Sequence, residues 1–452
     1  MKIDVLVAEI GSTTTVVNAF QDINTLCPKF IGQGQAPTSV LEGDVNIGLN
    51  SAISDLANKI NAESIEYEEM LATSSAAGGL KMSVHGLVYD MTVKAAREAA
   101  LGAGAIIHNA TAGKLRKADL KRIKNMNVNI ILLAGGVDHG ERETALYNAE
   151  KISKLGIKVP IIYAGNVDNQ EEIKEIFEEA GMKLYIVENV YPKIDQLNIE
   201  PTRKIIQDVF EEHIVHAPGM AKVRELVNGP IIPTPGAVMK ASELLKEDIG
   251  DLITFDVGGA TTDLHSVTEG SEEINRILIS PEPIAKRSVE GDLGVYVNME
   301  NIVGRIGIEE IEENLQIGID ALKRNHQPIP KTKKQIEFVE MLTKEAVETA
   351  IERHVGEIRH IYGPNGKATV AEGKDLSNVK YIVGTGGALT KLDKGKEILK
   401  ALTNNNTKNK LQPTNEAKVV IDKDYIMASV GVLSKSHPKS ALKLLKKSCN
   451  IE

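Results

Sequence analysis

Two short stretches of the sequence, one in each half of the chain, repeat each other and decide the fold. The first reads Glu9-Ile10-Gly11-Ser12-Thr13-Thr14-Thr15, and the second reads Asp256-Val257-Gly258-Gly259-Ala260-Thr261-Thr262. An acid, a glycine and two threonines recur at the same offsets, and a run rich in β-branched residues lies on each side of both stretches. Apolar runs that flank a Gly/Ser/Thr turn predict a β-hairpin, so we expect one hairpin in each half.

The residue types in the two turns predict phosphate binding. Glycine allows backbone N–H groups to approach an oxyanion, successive N–H groups form an anion-binding nest, and hydroxyls add donors. A carboxylate at the end of the first strand suits hydrated Mg²⁺, which takes one or two carboxylates together with water and phosphate oxygens. Either hairpin alone would more simply be an ordinary turn, whereas the matching pair favours two facing hairpins that clamp a triphosphate between two lobes. The nucleotide-binding candidates are Gly11, Ser12, Thr13, Thr14, Gly258, Gly259, Thr261 and Thr262, and the metal-side acids are Glu9 and Asp256.

A third glycine-rich stretch, Gly384-Thr385-Gly386-Gly387-Ala388-Leu389, follows the apolar run at residues 379–383. The pattern predicts a strand, a turn and a helix. Gly384, Gly386 and Gly387 would let an adenosine lie against the backbone. Many strand-to-helix turns look like this one, and it is the order of the three stretches that favours ATP binding.

Composition excludes several classes of protein. The 452 residues suggest about three domains or two large lobes. With 42% hydrophobic and 25% charged residues, the chain has the composition of a soluble globular protein. The net charge of −9 argues against nucleic-acid binding, and the longest apolar runs are far shorter than the ~20 residues of a membrane span. The first residues do not have a signal-peptide pattern, so we expect a cytoplasmic protein.

The middle of the chain contains an internal repeat. The stretches 131–138 and 161–168 share Ala, Gly, Val and Asp at the same offsets, thirty residues apart. An apolar run, a glycine turn and a helix at this period predict βα units in a small α/β domain from about residue 110 to 195. A long helix is predicted at 336–361. The predicted domains are a first lobe at 1–80, an inserted helical and α/β region at 81–250, a second lobe at 251–440 and a solvated basic tail at 441–452.

The three glycine-rich stretches together resemble the motifs of the actin, sugar-kinase and heat-shock-chaperone ATPase superfamily. The resemblance implies an α/β class, with a two-lobed actin-like ATPase fold (a duplicated ribonuclease H-like domain) and an inserted small α/β domain. It also implies that Glu9, Asp256 and Asp263 are catalytic acids. The first motif of the superfamily usually has Asp where this chain has Glu9, so Asp256 is the more secure metal-side acid.

Within that superfamily the chain is similar over nearly its whole length to the MutL/GlmL accessory proteins, which are distinct from the DNA mismatch-repair protein of the same name. The resemblance implies an ATP-dependent reactivating factor, a slow ATPase that uses ATP and Mg²⁺. The implied partner is an adenosylcobalamin-dependent aminomutase such as glutamate mutase, and the assembly state stays open, with a homo-oligomer as one option. The motifs that carry this resemblance, besides the two turns, are Ser74-Ser75-Ala76-Ala77-Gly78-Gly79-Leu80-Lys81-Met82, His85-Gly86-Leu87, Ala134-Gly135-Gly136-Val137-Asp138 and His216-Ala217-Pro218-Gly219-Met220.

Two alternatives on the same fold stay open at this point. A small-molecule kinase would need a carboxylate beside the acceptor hydroxyl, for which Asp263 is the candidate. An iron–sulfur activase would need paired cysteines across a dimer, and Cys27 and Cys449 do not have that placement. His139 is expected to be a loop histidine, and the 110–195 domain is either a docking platform or a packed scaffold.

Overall fold

The computed structural model describes residues 1–11, 14–39, 42–75, 80–214, 220, 222–229, 231–363, 366–404 and 409–452. The chain divides into two compact units. Unit 1 comprises Met1–Lys240 and Ala428–Ala441, and unit 2 comprises Ala241–Met427 and Leu442–Glu452. Some motif residues named above, including Ser12, Thr13, 76–79 and 215–219, lie outside the described residues.

The strands within the described residues are numbered β1 to β17 in chain order. They are Lys2–Ile10, Thr14–Gln21, Lys29–Pro37, Glu66–Ser74, Leu80–Gly86, Ala105–Ala112, Ile130–Leu133, Ile161–Tyr163, Leu184–Ile186, Ile231–Pro233, Leu252–Val257, Thr262–Val267, Ala285–Glu290, Glu357–Gly363, Gly366–Glu372, Tyr381–Thr385 and Lys418–Ile421.

The α-helices of the same residues are numbered α1 to α17. They are Val45–Lys59, Lys94–Gly102, Lys117–Asn125, Glu143–Ser153, Gln170–Glu179, Glu200–Ile214, Val223–Leu226, Thr234–Ile249, Glu272–Asn275, Met299–Ile306, Ile308–Leu315, Ile319–Arg324, Lys333–His354, Gly387–Thr390, Gly395–Ala401, Met427–Leu433 and Pro438–Ser448. None of these helices, in the part of the chain that is described, combines the length and apolar character that a membrane crossing requires.

Each unit contains a sheet with the same topology. In unit 1 the strand order is β10-β4-β1-β2-β3, and in unit 2 it is β13-β12-β11-β16-β17. In both sheets the first three strands in sequence form an antiparallel meander, and the last two are parallel to the first strand. The predicted α/β class and the duplicated sheet of the actin-like ATPase fold are thereby confirmed.

Unit 1 also contains a second, wholly parallel sheet. Its strand order is β6-β5-β7-β8-β9, so the chain starts near the centre, places one strand on one side and then continues on the other side. The predicted repeat forms β7 with α4 and β8 with α5. Because β5 and β6 belong to the same sheet, this α/β region starts at residue 80, well before the expected residue 110.

Burial of apolar side chains explains where the elements of unit 2 pack. The helix α13 begins with a capping box between Thr332 and Gln335, and its apolar face lies in a core with β11, β12 and β16. The helix ends at His354, and Glu357–Gly363 forms a hairpin with Gly366–Glu372. The prediction that the helix continues to residue 361 is therefore wrong. The reason is a tertiary contact, because the extended residue Val355 leads into Gly356, where an added Cβ would lie 2.6 Å from the carbonyl carbon of Gly373.

The C-terminal segment differs from its prediction as a solvated basic tail. Pro438–Ser448 is a helix, and Ala441, Leu444 and Leu445 are buried at i, i+3 and i+4 spacing. This spacing is that of one helix face. The lysines of the segment are on the other positions, so the charge pattern indicates an amphipathic helix.

Candidate functional site

The turn between β1 and β2 in unit 1 is closed by one backbone hydrogen bond. The N–H of Gly11 donates to the carbonyl oxygen of Thr14 at 3.0 Å. A Cβ on Gly11 would lie only 2.6 Å from that oxygen, so the closure requires glycine at this position. Ser12 and Thr13, predicted to bind phosphate, lie between these two residues and outside the described set, and Thr14 is half-buried at the start of β2.

The acid of unit 1, Glu9, is enclosed by side-chain donors. It is 6% exposed, and its Oε1 accepts hydrogen bonds from Ser429 Oγ at 2.6 Å and from Asn18 Nδ2 at 3.2 Å. Asn18 Nδ2 also contacts Ser429 Oγ at 2.9 Å. The structure therefore places Glu9 in a buried polar cluster of unit 1.

The turn between β11 and β12 in unit 2 has the same closure. The N–H of Gly258 donates to the carbonyl oxygen of Thr261 at 3.0 Å. The carbonyl oxygens of the turn face the following segment, since Gly258 accepts from Val295 N–H at 3.2 Å and Gly259 accepts from Tyr296 N–H at 2.9 Å. Within the described residues, the N–H groups of Gly259 and Ala260 have no hydrogen-bond partner.

The acid of unit 2, Asp256, lies beside the third glycine-rich stretch. It is half-buried and pairs with Thr385 across the parallel strands β11 and β16. Gly386, with φ +83°, is packed so closely that a Cβ would lie 2.6 Å from Asp256 Oδ1 and 2.5 Å from the carbonyl oxygen of Val257. The structure thus brings the second and third predicted motifs together within one unit.

The other two glycines of the third stretch have different surroundings. Gly384 is buried in β16, where a Cβ would lie 2.7 Å from side-chain methyls of Ile421 and Leu399, so it packs against the core. Gly387 is exposed at the start of α14, and a Cβ at this position would meet nothing within 4 Å. Of the pair, Gly387 is the one that can face a ligand.

Asp263, predicted as a catalytic acid, is 4% exposed and forms a buried ion pair. Its Oδ1 accepts from Arg287 Nη2 at 2.7 Å and Nε at 3.1 Å, and its Oδ2 accepts from Thr261 Oγ1 at 3.1 Å. Thr262, also predicted at the site, is fully buried and its hydroxyl donates to the Leu293 carbonyl at 2.8 Å. These contacts favour structural roles, in which Asp263 orients Thr261 beside the turn.

A second acidic group reaches the same turn from β13. Glu290 lies opposite Thr262 in the sheet, and Arg353 contacts both Glu290 and Asp292. Burial raises the pKa of the Glu290 carboxyl, although the Arg353 guanidinium opposes that shift. Hydrogen bonds from Arg353 lower the pKa of Asp292.

Sequence reasoning missed the partners that hold the predicted acids. Arg287 is 1% exposed, but its strand also contains Lys286 and Glu290, so the sequence alone does not single out Arg287 as the buried partner. Ser429 lies 420 residues from Glu9, and nothing in the local sequence indicates that contact.

Metal ligands are sparse in the described ranges, where no group of three or more His, Cys, Asp or Glu side chains could hold an ion. Mg²⁺ needs fewer protein ligands, because it keeps several waters and takes phosphate oxygens. Asp256 is the described carboxylate best placed for that role. Cys27 is exposed and Cys449 is buried, where burial raises the pKa of its thiol.

Comparison with known proteins gives one family and one close relative. Residues 5–449 match the family described as "MutL protein". The chain is 38% identical over 457 residues to "Protein MutL" of Clostridium tetanomorphum, with 98% of each chain covered.

Similar solved structures include nucleotide-free acetone carboxylase, with a TM-score of 0.42, 11% identity and coverage of 96% of this chain and 70% of the other. They also include nucleotide-free diol dehydratase-reactivating factor, with a TM-score of 0.40, 10% identity and coverage of 97% and 100%. Scores at this level carry no inference about function.

Proposed function

The chain belongs to the MutL protein family, and on that premise we propose that it is an ATP-dependent reactivating factor for an adenosylcobalamin-dependent aminomutase such as glutamate mutase. In this role it acts as a molecular chaperone and slow ATPase that releases a damaged cobalamin from the mutase. The observation that carries the nucleotide part of the proposal is the duplicated turn, because Gly11 and Gly258 make the same 3.0 Å closure, each two residues after an acid.

The turn of unit 2 fits the phosphates of ATP. Its carbonyl oxygens are engaged by residues 295–298, and this leaves the N–H groups of Gly259 and Ala260 on the opposite side as donors. Donors arranged in succession form an anion-binding nest. Thr261 adds a hydroxyl, and the exposed Gly387 offers a flat backbone surface for the adenosine.

The same residues fit Mg²⁺. Asp256 is half-buried, and the close approach of Gly386 fixes its position. Bound with ATP, Mg²⁺ would neutralise charge on the phosphate oxygens during hydrolysis. In unit 1 the corresponding donors would be Ser12 and Thr13, with the Thr14 hydroxyl beside them and Gly11 allowing the close approach of the phosphate.

The kinase alternative has less support. A general base must come within about 2.6–3.2 Å of the acceptor hydroxyl. Asp263, the candidate base, is 4% exposed and both of its oxygens are engaged, one by Arg287 and one by Thr261. We therefore favour hydrolysis over phosphoryl transfer to a metabolite.

Reactivation requires that the ATP and ADP states bind the mutase differently, because a ligand shifts an equilibrium only by its differential affinity. A hundredfold difference in mutase affinity corresponds to about 2.7 kcal/mol. Hydrolysis of one ATP can readily supply a difference of that size.

The experiment that tests the proposal is recovery of a cyanocobalamin-blocked aminomutase. The full chain, Mg²⁺-ATP and fresh adenosylcobalamin are added, and mutase turnover is measured over time. We expect recovery with ATP and none with ADP or with a non-hydrolysable analogue.

The matched control is Asp256→Asn, which should bind the mutase but fail to restore turnover. Recovery that is independent of nucleotide would contradict the proposal. Absence of recovery with several aminomutases, together with intact ATP hydrolysis, would also reject the assigned partner class.

A further inference from the structure

The parallel sheet of unit 1 has a feature that the nucleotide site does not use. Its strand order is β6-β5-β7-β8-β9, so after β5 and β6 the chain crosses to the other side of β5 to add β7, β8 and β9. In open parallel sheets, ligands bind at the carboxyl ends of the strands near such a reversal. The loop after β7, which borders that reversal, contacts the loop after β8 and presents a histidine, His139.

His139 has the geometry of a supported metal ligand. Its Nδ1 lies 3.0 Å from Asp168 Oδ1, and its side chain is 78% exposed. A carboxylate can only accept, so in the neutral ring the Nδ1 carries the proton and the lone pair is on Nε2. Nε2 has no hydrogen-bond partner among the described residues. Histidine ligands of metals typically donate their other ring N–H to a carboxylate in this way.

The surrounding loops hold this pair rigidly. His139 has a φ of +61°, which is uncommon for a residue other than glycine, and its N–H donates to Asn166 Oδ1 at 3.1 Å. Asn166 Oδ1 also accepts from the Asp168 N–H at 3.0 Å, so one amide orients both members of the pair. Arg142 contacts the other oxygen of Asp168.

Exposed apolar side chains lie on the segments tied to this turn. Val167, 41% exposed, donates its N–H to Asp138 Oδ1 at 3.0 Å. Ile194, 70% exposed, follows Pro192, whose carbonyl accepts the Asp138 N–H at 2.9 Å. Both segments are thus connected, through Asp138, to the turn that carries His139.

One histidine is too little to hold a bare metal ion, which needs about four ligands in a tetrahedral or larger set. The described residues offer no group of three such side chains anywhere. A single imidazole suffices only when a macrocycle already supplies the equatorial ligands and leaves an axial position open.

We propose that His139 binds, through Nε2, the axial position of a cobalt corrinoid, with Asp168 as its positioning residue. The inference deepens the proposed function, on which it rests, because it gives the released cofactor a first acceptor on the factor itself. The step is a ligand exchange: one Co–N bond forms, one Co–OH₂ bond breaks, the water leaves, and no electron is transferred.

Four other histidines of the described residues offer contrasts. His85 and His354 are buried with hydroxyls on both ring nitrogens. His437 faces Glu69 but is only 22% exposed. His360 is exposed on β14, yet its Nδ1 faces the Thr369 hydroxyl, and it serves as a matched control.

The experiment uses the full chain labelled with ¹⁵N-histidine and cobinamide, a corrinoid without its own tethered base. After reduction to Co(II), electron paramagnetic resonance reports the axial nitrogen. We expect a two-line splitting from ¹⁵N and a three-line splitting from unlabelled protein. The substitution H139N, which keeps a residue tolerant of positive φ, should remove the splitting, and H360N should not.

Affinity gives a second readout. Aquacobalamin titration should show at least tenfold weaker binding for H139N and roughly tenfold weaker binding for D168N, as expected when the support of a metal ligand is lost. Nitrogen splitting that persists in H139N, or no splitting in the native chain, would overturn the inference. Mutase recovery without any cobalt ligation would overturn only this inference. Cobalt ligation without mutase recovery would overturn only the proposed function.

Discussion

The turns of unit 1 and unit 2 are closed by the same hydrogen bond but differ in what surrounds their acids. Glu9 is 6% exposed and accepts from Ser429 and Asn18, whereas Asp256 is half-buried against Gly386. The additional methylene of Glu9 extends its carboxylate to side-chain donors within its own unit. Two turns with the same backbone closure therefore hold their acids in different environments. We expect the metal ion to bind Asp256.

The largest expected effect separates the two acids directly. Asp256→Asn should lower the rate of Mg²⁺-ATP hydrolysis at least a hundredfold, because an amide cannot replace the charge of a metal ligand. Glu9→Gln keeps an acceptor for Ser429 and should lower the rate less than tenfold. Steady-state ATPase assays with both variants, and melting curves to verify folding, test this. Equal losses of hydrolysis rate in the two variants would contradict the different roles assigned to Glu9 and Asp256.

The next effect concerns how each unit responds to acid. His85 in unit 1 and His354 in unit 2 are both buried between hydroxyls, and burial lowers the pKa of His85 to about 4 and that of His354 well below its usual value. A histidine with a lowered folded-state pKa binds its proton more readily when unfolded, so stability present above pH ~6.5 is lost as the pH falls towards the folded pKa. For His85 alone the loss is about 3 kcal/mol.

Urea unfolding between pH 7 and pH 4.5 measures this loss. The slope of the unfolding free energy against pH should be smaller in His85→Gln, by the equivalent of about one proton taken up on unfolding. An unchanged slope in that variant would show that the pKa of His85 is the same in the folded and the unfolded protein.

A smaller effect tests the packing beside Asp256. Gly386→Ala places a Cβ at positive φ and within 2.6 Å of the Asp256 carboxylate, whereas Gly387→Ala meets nothing within 4 Å. The backbone conformation of Gly386, with φ +83° and ψ 152°, is nearly confined to glycine and costs other residues about 1–3 kcal/mol. We expect roughly tenfold slower hydrolysis and a lower melting temperature for Gly386→Ala, whereas Gly387→Ala should keep a near-native melting temperature and weaken only the binding of ATP. Native behaviour of both variants would contradict the fixed position of Asp256.

The smallest effect sharpens the description of Glu9. Ser429→Ala removes its 2.6 Å hydrogen bond to the carboxylate but leaves Asn18 in contact. A hydrogen bond to a charged group contributes about 1.5–3 kcal/mol, and the remaining donor offsets part of that loss. Calorimetry should show a melting temperature lower by a few degrees, with ATP hydrolysis within threefold of native. A large loss of activity at native stability would return Glu9 to the catalytic set.

Local pattern is sufficient to predict much of this fold. Gly11 and Gly258 mark both hairpins, and the 30-residue repeat marks β7 and β8, because turn chemistry and apolar runs act over a few residues. The pairing of Asp263 with Arg287 and of Glu9 with Ser429 is not predictable, since those contacts depend on tertiary packing. The sequence predicts no more than a loop position for His139, because its carboxylate partner, Asp168, lies 29 residues away.

The division of the chain also bears on how the protein is made. Unit 1 takes residues 1–240 and then Ala428–Ala441, so the 187 residues of Ala241–Met427 are synthesised before it is complete. At about 5–20 residues per second, the ribosome needs roughly 10–40 s for that interval. During this time Glu9 lacks the hydroxyl of Ser429. The Glu9 carboxylate of a nascent chain must therefore wait for one of its hydrogen-bond donors, and an expression fragment that ends near residue 240 would lack that donor altogether.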